Sequence, residues 1–161
     1  MLRFAIAFLV GLVSLSGCQS VSDADIEPIG LDQSAALYRQ RESEPLSALF
    51  IDPRPRDAFE SAHIPGAVNL SLAAFDGAKG IDPRIAQFKA IVVYGQNPGD
   101  VAGPVVSKRM MQIGYTDVRA FSGGVDEWRR AALPLEAGPS GTLPAAPQST
   151  RRGSTRSGAG S

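Results

Sequence analysis

Short apolar runs alternate with amphipathic stretches through the middle of the chain, and both ends break the pattern. LFID (49–52), AVNL (67–70), IVVY (91–94) and DVRAF (117–121) are brief β-like runs bounded by turn residues. Helical spacing appears between them, in DQSAALYRQ (32–40), RDAFES (56–61), DPRIAQF (82–88) and a longer stretch from Val101 to Ile113. In that longer stretch Ala102, Val106, Met110 and Ile113 form one apolar stripe, Lys108 and Arg109 fall off it, and Gly114 stops the helix. IVVY reads as a strand covered on both faces, because nothing polar interrupts it before the loop. Strands alternating with helices predict an α/β fold, a parallel central sheet flanked by helices in three layers.

The two ends have different compositions. Arg3, an apolar run from Phe4 to Val13 and a small-residue stretch before Cys18 have the layout of an export signal over residues 1–17. That run is too short to remain as a bilayer-spanning helix. Leu15-Ser16-Gly17-Cys18 resembles the lipobox of bacterial lipoproteins, which implies lipidation of the Cys18 thiol and cleavage before it. Acyl chains on one residue tether a protein to a membrane without spanning it. By the same resemblance, Gln19 directs the protein to the outer membrane of the cell envelope, on the periplasmic face, if the cell is Gram-negative. Residues 18–28 read as a tether and 29–137 as the folded domain. Residues 138–161 are rich in Pro, Ser and Gly and poor in large apolar side chains, which predicts a disordered tail.

Charge and sulfur content narrow the function. The 161 residues carry 16 basic and 16 acidic side chains, and no basic face is interleaved with aromatics, so nucleic acid is not an expected partner. One cysteine and one histidine, Cys18 and His63, exclude an intrachain disulfide and any cysteine- or histidine-rich metal site, and no cofactor is expected.

Asp52-x-Arg54, His63-Ile64-Pro65-Gly66-Ala67, Gly114-Tyr115 and Gly123-Gly124 followed by Trp128 recur in an order and spacing that resemble the single rhodanese-like domain. The resemblance covers almost all of the folded segment. It implies that active relatives carry a cysteine in the loop after the central strand, where backbone amides cradle the persulfide it forms. Here the loop reads Gly95-Gln96-Asn97-Pro98-Gly99-Asp100, without a nucleophile, so no catalytic residue is assigned and the loop is a degenerate site with a binding role. Pro98 removes an amide donor, and Asp100, expected at the rim as a helix N-cap, opposes anion capture. Asp52 and Arg54 are expected to pair and support the loop. His63 reads as architectural, since a base without a nucleophile or metal has no task. Trp128 is expected in the core with partial exposure. The leading function is a non-catalytic module on an envelope lipoprotein, anchored through Cys18 and binding an unidentified envelope protein or small ligand. The alternative is a weak or partner-dependent sulfurtransferase.

Overall fold

The structure, a computed structural model, describes residues 21–148. The export signal, Cys18 and the chain beyond residue 148 lie outside the described residues. Five strands form one wholly parallel sheet in the order β1-β5-β4-β2-β3, with β1 at Glu27–Ile29, β2 at Ala48–Asp52, β3 at Val68–Asn69, β4 at Ala90–Tyr94 and β5 at Val118–Phe121. The helices are α1 (Leu31–Gln40), α2 (Arg56–Ser61), α3 (Pro83–Ala86), α4 (Ala102–Ile113) and α5 (Gly124–Arg130), with short 3-10 turns at Asp23–Asp25 and Leu72–Phe75.

The sheet is apolar on both faces because helices cover both. On one face Phe50, Val92, Tyr94 and Phe121 pack with Phe59 of α2 and with Val125 and Trp128 of α5. On the other, Leu49, Ile51, Ile91, Val93 and Val118 pack with Val106 and Met110 of α4 and Ile85 of α3. Side chains alternate faces along a strand, so a strand covered on both sides must be apolar at every position, as β4 is. Gly114 caps α4 with φ 109°, where a side chain would be strained.

Three expectations change. The tether is not featureless: Glu27-Pro28-Ile29 pairs with Arg119-Ala120-Phe121 as an edge strand, where Pro28 is tolerated. The first part of the expected disordered tail lies against the domain. Gly138 N donates to Glu60 O at 2.8 Å, Gly141 N to Ala67 O at 3.0 Å, and Leu143 joins the second core layer. Trp128 is wholly buried rather than partly exposed, and its Nε1 donates to Pro134 O at 2.7 Å.

Candidate functional site: the loop after β4

The chain winds one way from β2 to β3 and the other way from β4 to β5, so the carboxyl ends of β2 and β4 flank a topological switch point, the usual place for ligands in open parallel sheets. The segment Gly95–Val101 leaves β4 there and leads into α4, beside the Asp52–Arg54 segment that leaves β2.

Asp100 organises this loop. One carboxylate oxygen accepts from Gln96 N at 2.7 Å and the other from Ala102 N at 2.8 Å. The side chain therefore turns inward across the loop and is half-buried, not exposed at the rim, and the N-cap position of α4 belongs to Val101. Its carboxylate lies over Gly95. A Cβ on Gly95 would stand 2.7 Å from Asp100 Oδ2 and 2.8 Å from its Cγ, separations that real side chains do not keep. Gly95 is not in the left-handed region, so its backbone would accept a side chain; the space is what Asp100 has taken.

The expected support is present and extends further than the sequence suggested. Arg54 Nη2 and Nε bond the Asp52 carboxylate at 2.7 and 2.9 Å, with both residues buried. Burial alone would lower the pKa of Arg54, but the hydrogen bonds and charge of Asp52, with smaller help from Tyr94 and Asp100, raise it on balance. Arg54 Nη1 donates to Gln96 Oε1, and Gln96 Nε2 donates to Asp126 Oδ1 at 2.7 Å. Gln96 is thus a brace across three segments, with both its carbonyl and its amide nitrogen engaged. Asn69 closes the β2 end by donating to Asp52 O and Arg54 O, each at 2.8 Å. The start of α5 presses on the loop from the other side: Val125 N donates to Gly95 O at 3.1 Å and Asp126 N to Gln96 O at 2.9 Å. Gly124 makes this approach possible, since at φ 61° any Cβ would run into Gly95 O and the Gln96 backbone.

What remains outward is the tip. Asn97, Pro98 and Gly99 are exposed, and Asn97 Oδ1 accepts from Gly99 N at 2.9 Å, which fixes the turn locally. Tyr94, just before the loop, is buried with its hydroxyl accepting from Ile64 N at 3.2 Å; burial, with the Asp52 carboxylate adding to it, pushes its phenol well above the ordinary range.

His63 is held away from this loop's chemistry. It is buried, stacked on Phe59 at 3.7 Å, with Nδ1 against Phe59 O and Nε2 against Glu136 Oε1, so it joins the chain after α5 to the turn after α2. Among the described residues no group of three or more His, Cys, Asp or Glu is placed to hold a metal. Asp126 and Asn69 had no individual signal in the sequence; Gly124 entered only with Gly123, ahead of Trp128, as part of the motif set.

A parallel α/β sheet with a braced loop at the carboxyl end of its central strand defines the class. The chain belongs to the rhodanese-like domain family, whose model matches residues 34–131. It is 29% identical over 124 residues to the HTH-type transcriptional regulator Rv0324 of Mycobacterium tuberculosis, a match that takes in 74% of this chain and 51% of that one. The chain thus spans about half the length of that curated relative. Among solved structures it resembles the BH2092 protein of Bacillus halodurans, at TM-score 0.57 and 19% identity over 69% of this chain and 77% of that one. It also resembles the thiosulfate sulfurtransferase of Pseudomonas aeruginosa, at TM-score 0.54 and 19% identity over 78% of this chain and 23% of that one. These structural likenesses show the shared fold.

Proposed function

We propose that the chain is an envelope lipoprotein, anchored through a lipidated Cys18, whose rhodanese-like domain is non-catalytic and serves as a protein- or ligand-binding module. The observation that carries this reading is the Asp100 carboxylate lying over Gly95 on two loop amides. Sulfur relay needs a thiolate at the loop, and Gly95 offers no side chain. The amides that would stabilise an anion there already hold the chain's own. What the domain still presents is an exposed Asn97-Pro98-Gly99 tip on a rigid scaffold, the usual arrangement for recognition. The Leu-Ser-Gly-Cys sequence at the end of an export signal supports the anchor, and Gln19 supports an outer-membrane destination.

A second reading, a weak or partner-dependent sulfurtransferase, draws on the likeness to thiosulfate sulfurtransferase and on the intact Arg54–Gln96–Asp126 brace. In it a partner would supply the thiol. The test is thiocyanate formation from thiosulfate and cyanide by the full chain. The proposed function predicts a rate at the buffer blank. Turnover by the chain alone would overturn it, and turnover only with an added envelope protein bearing a thiol would favour the second reading.

A further inference from the structure

Beside the loop, the outer side of α4 carries a cluster that the loop does not use. A groove of about 460 Å³ is lined by Leu72, Val101, Val105, Lys108 and Arg109, with Asp23 at its edge. Leu72, Val101 and Val105 are 40%, 70% and 44% exposed, unusual for apolar side chains standing together. Lys108 reaches Asp23 at 2.8 Å, and Arg109 donates to Phe75 O at 3.2 Å, so both cations stand beside the apolar residues.

We propose that this groove is a membrane-docking surface: Leu72, Val101 and Val105 sit in the interfacial layer of the bilayer that holds the anchor, with Arg109 at anionic headgroups. The proposal rests on the Cys18 anchor put forward above. What identifies the occupant is the path of the chain. Asp23 lies at the groove and Cys18 is five residues before it. Five residues span at most about 18 Å, whereas a domain of this size is roughly 35 Å across, so a lipid on Cys18 keeps the groove near the bilayer and leaves the opposite face out of reach. Apolar residues flanked by cations are what an interfacial contact with anionic lipid requires. Lys108 is paired with Asp23, so neither repels the surface and Arg109 supplies the net positive charge at the groove. Docking also sets the Gly95–Asp100 loop, which ends next to Val101, at the edge of the contact, so whatever the loop engages is met at the membrane surface.

The test uses the lipidated full chain in vesicles of phosphatidylglycerol and phosphatidylcholine. Val101→Cys provides a thiol for a polarity-sensitive fluorophore, and Glu42→Cys provides the control; Glu42 is exposed beyond α1, across the sheet from α4. Fatty-acid content at Cys18 is measured on the same samples. Docking predicts a blue-shifted label at position 101 that lipid-borne quenchers reach, an aqueous label at 42, and loss of the shift at 101 on adding Leu72→Asp and Val105→Asp. Equal, aqueous labels on lipidated protein overturn the docking and leave the anchor standing. Absence of lipid at Cys18 overturns both. A shift at 101 that appears only when envelope proteins are added overturns the docking in favour of a protein partner.

Discussion

A double-mutant cycle at Gly95 and Asp100 measures whether the carboxylate occupies the space of a side chain. In the wild-type background the methyl of Gly95→Ala would stand within 3.0 Å of three Asp100 atoms. The carboxylate must swing out, and its bonds to Gln96 N and Ala102 N are lost with it. Hydrogen bonds to a charged group are worth about 1.5–3 kcal/mol each when buried, but this site is half-buried and water replaces part of that. A lost helix-end cap costs about 0.5–2 kcal/mol, which fits the same range. Against this, Gly to Ala at a permissive backbone stabilises by about 0.4–1 kcal/mol through the unfolded chain. Gly95→Ala should therefore cost about 1–2 kcal/mol net, and Asp100→Ala about 1.5–3 kcal/mol, since it breaks the same bonds without that offset. In the Asp100→Ala background Oδ2 and Cγ are gone and the remaining Cβ stands 3.0 Å from the new methyl, a contact that a small shift relieves, so Gly95→Ala should be close to neutral. The coupling is then about 1–2 kcal/mol, inside the range known for residues in contact. Urea denaturation at constant m-value reads it directly. Additivity within about 0.5 kcal/mol would refute the shared-space account.

Cys18→Ala should abolish incorporation of radiolabelled fatty acid, and persistent labelling would remove the anchor. Arg54→Ala strands the buried Asp52 carboxylate and should cost about 3–5 kcal/mol by urea melt; a loss below about 1 kcal/mol, the size of an exposed pair, would contradict the pairing described. Tyr94, with its folded pKa raised, favours the fold fully below the unfolded tyrosine value of about 10 and loses that contribution as pH climbs above it toward the folded value. Its phenolate absorbance should appear only together with unfolding, and its appearance in the folded protein would show that burial is overstated. If the tip recruits a partner, Gly99→Trp should reduce the captured envelope proteins without altering the melt.

Much of the fold was legible because both-face burial leaves a strong mark on a chain. β4 is apolar at every position, and α2 falls where RDAFES placed it. β1 was not legible: three residues including a proline, on an edge and mostly exposed, carry no periodicity. Nor was the packing of 138–143, where Gly138 and Gly141 contribute backbone donors, which composition does not reveal. At the site, the missing nucleophile and the Asp52–Arg54 pair could be read directly, since one is an identity and the other a local spacing. The direction of Asp100 could not. Whether a carboxylate turns outward to solvent or inward onto amides depends on the loop path, and that path is set by contacts from α5 and β2, distant in sequence.

If the proposed function holds, the loop is silent both because it lacks a thiol and because Asp100 takes the space of a side chain at position 95. Thiocyanate formation from thiosulfate and cyanide by Gly95→Cys, compared with Gly95→Cys combined with Asp100→Ala, separates the two causes most directly. The account predicts that the single variant stays near the blank and that the double variant turns over measurably. A single variant as active as the double would show that Asp100 does not occupy the cradle, and would contradict it.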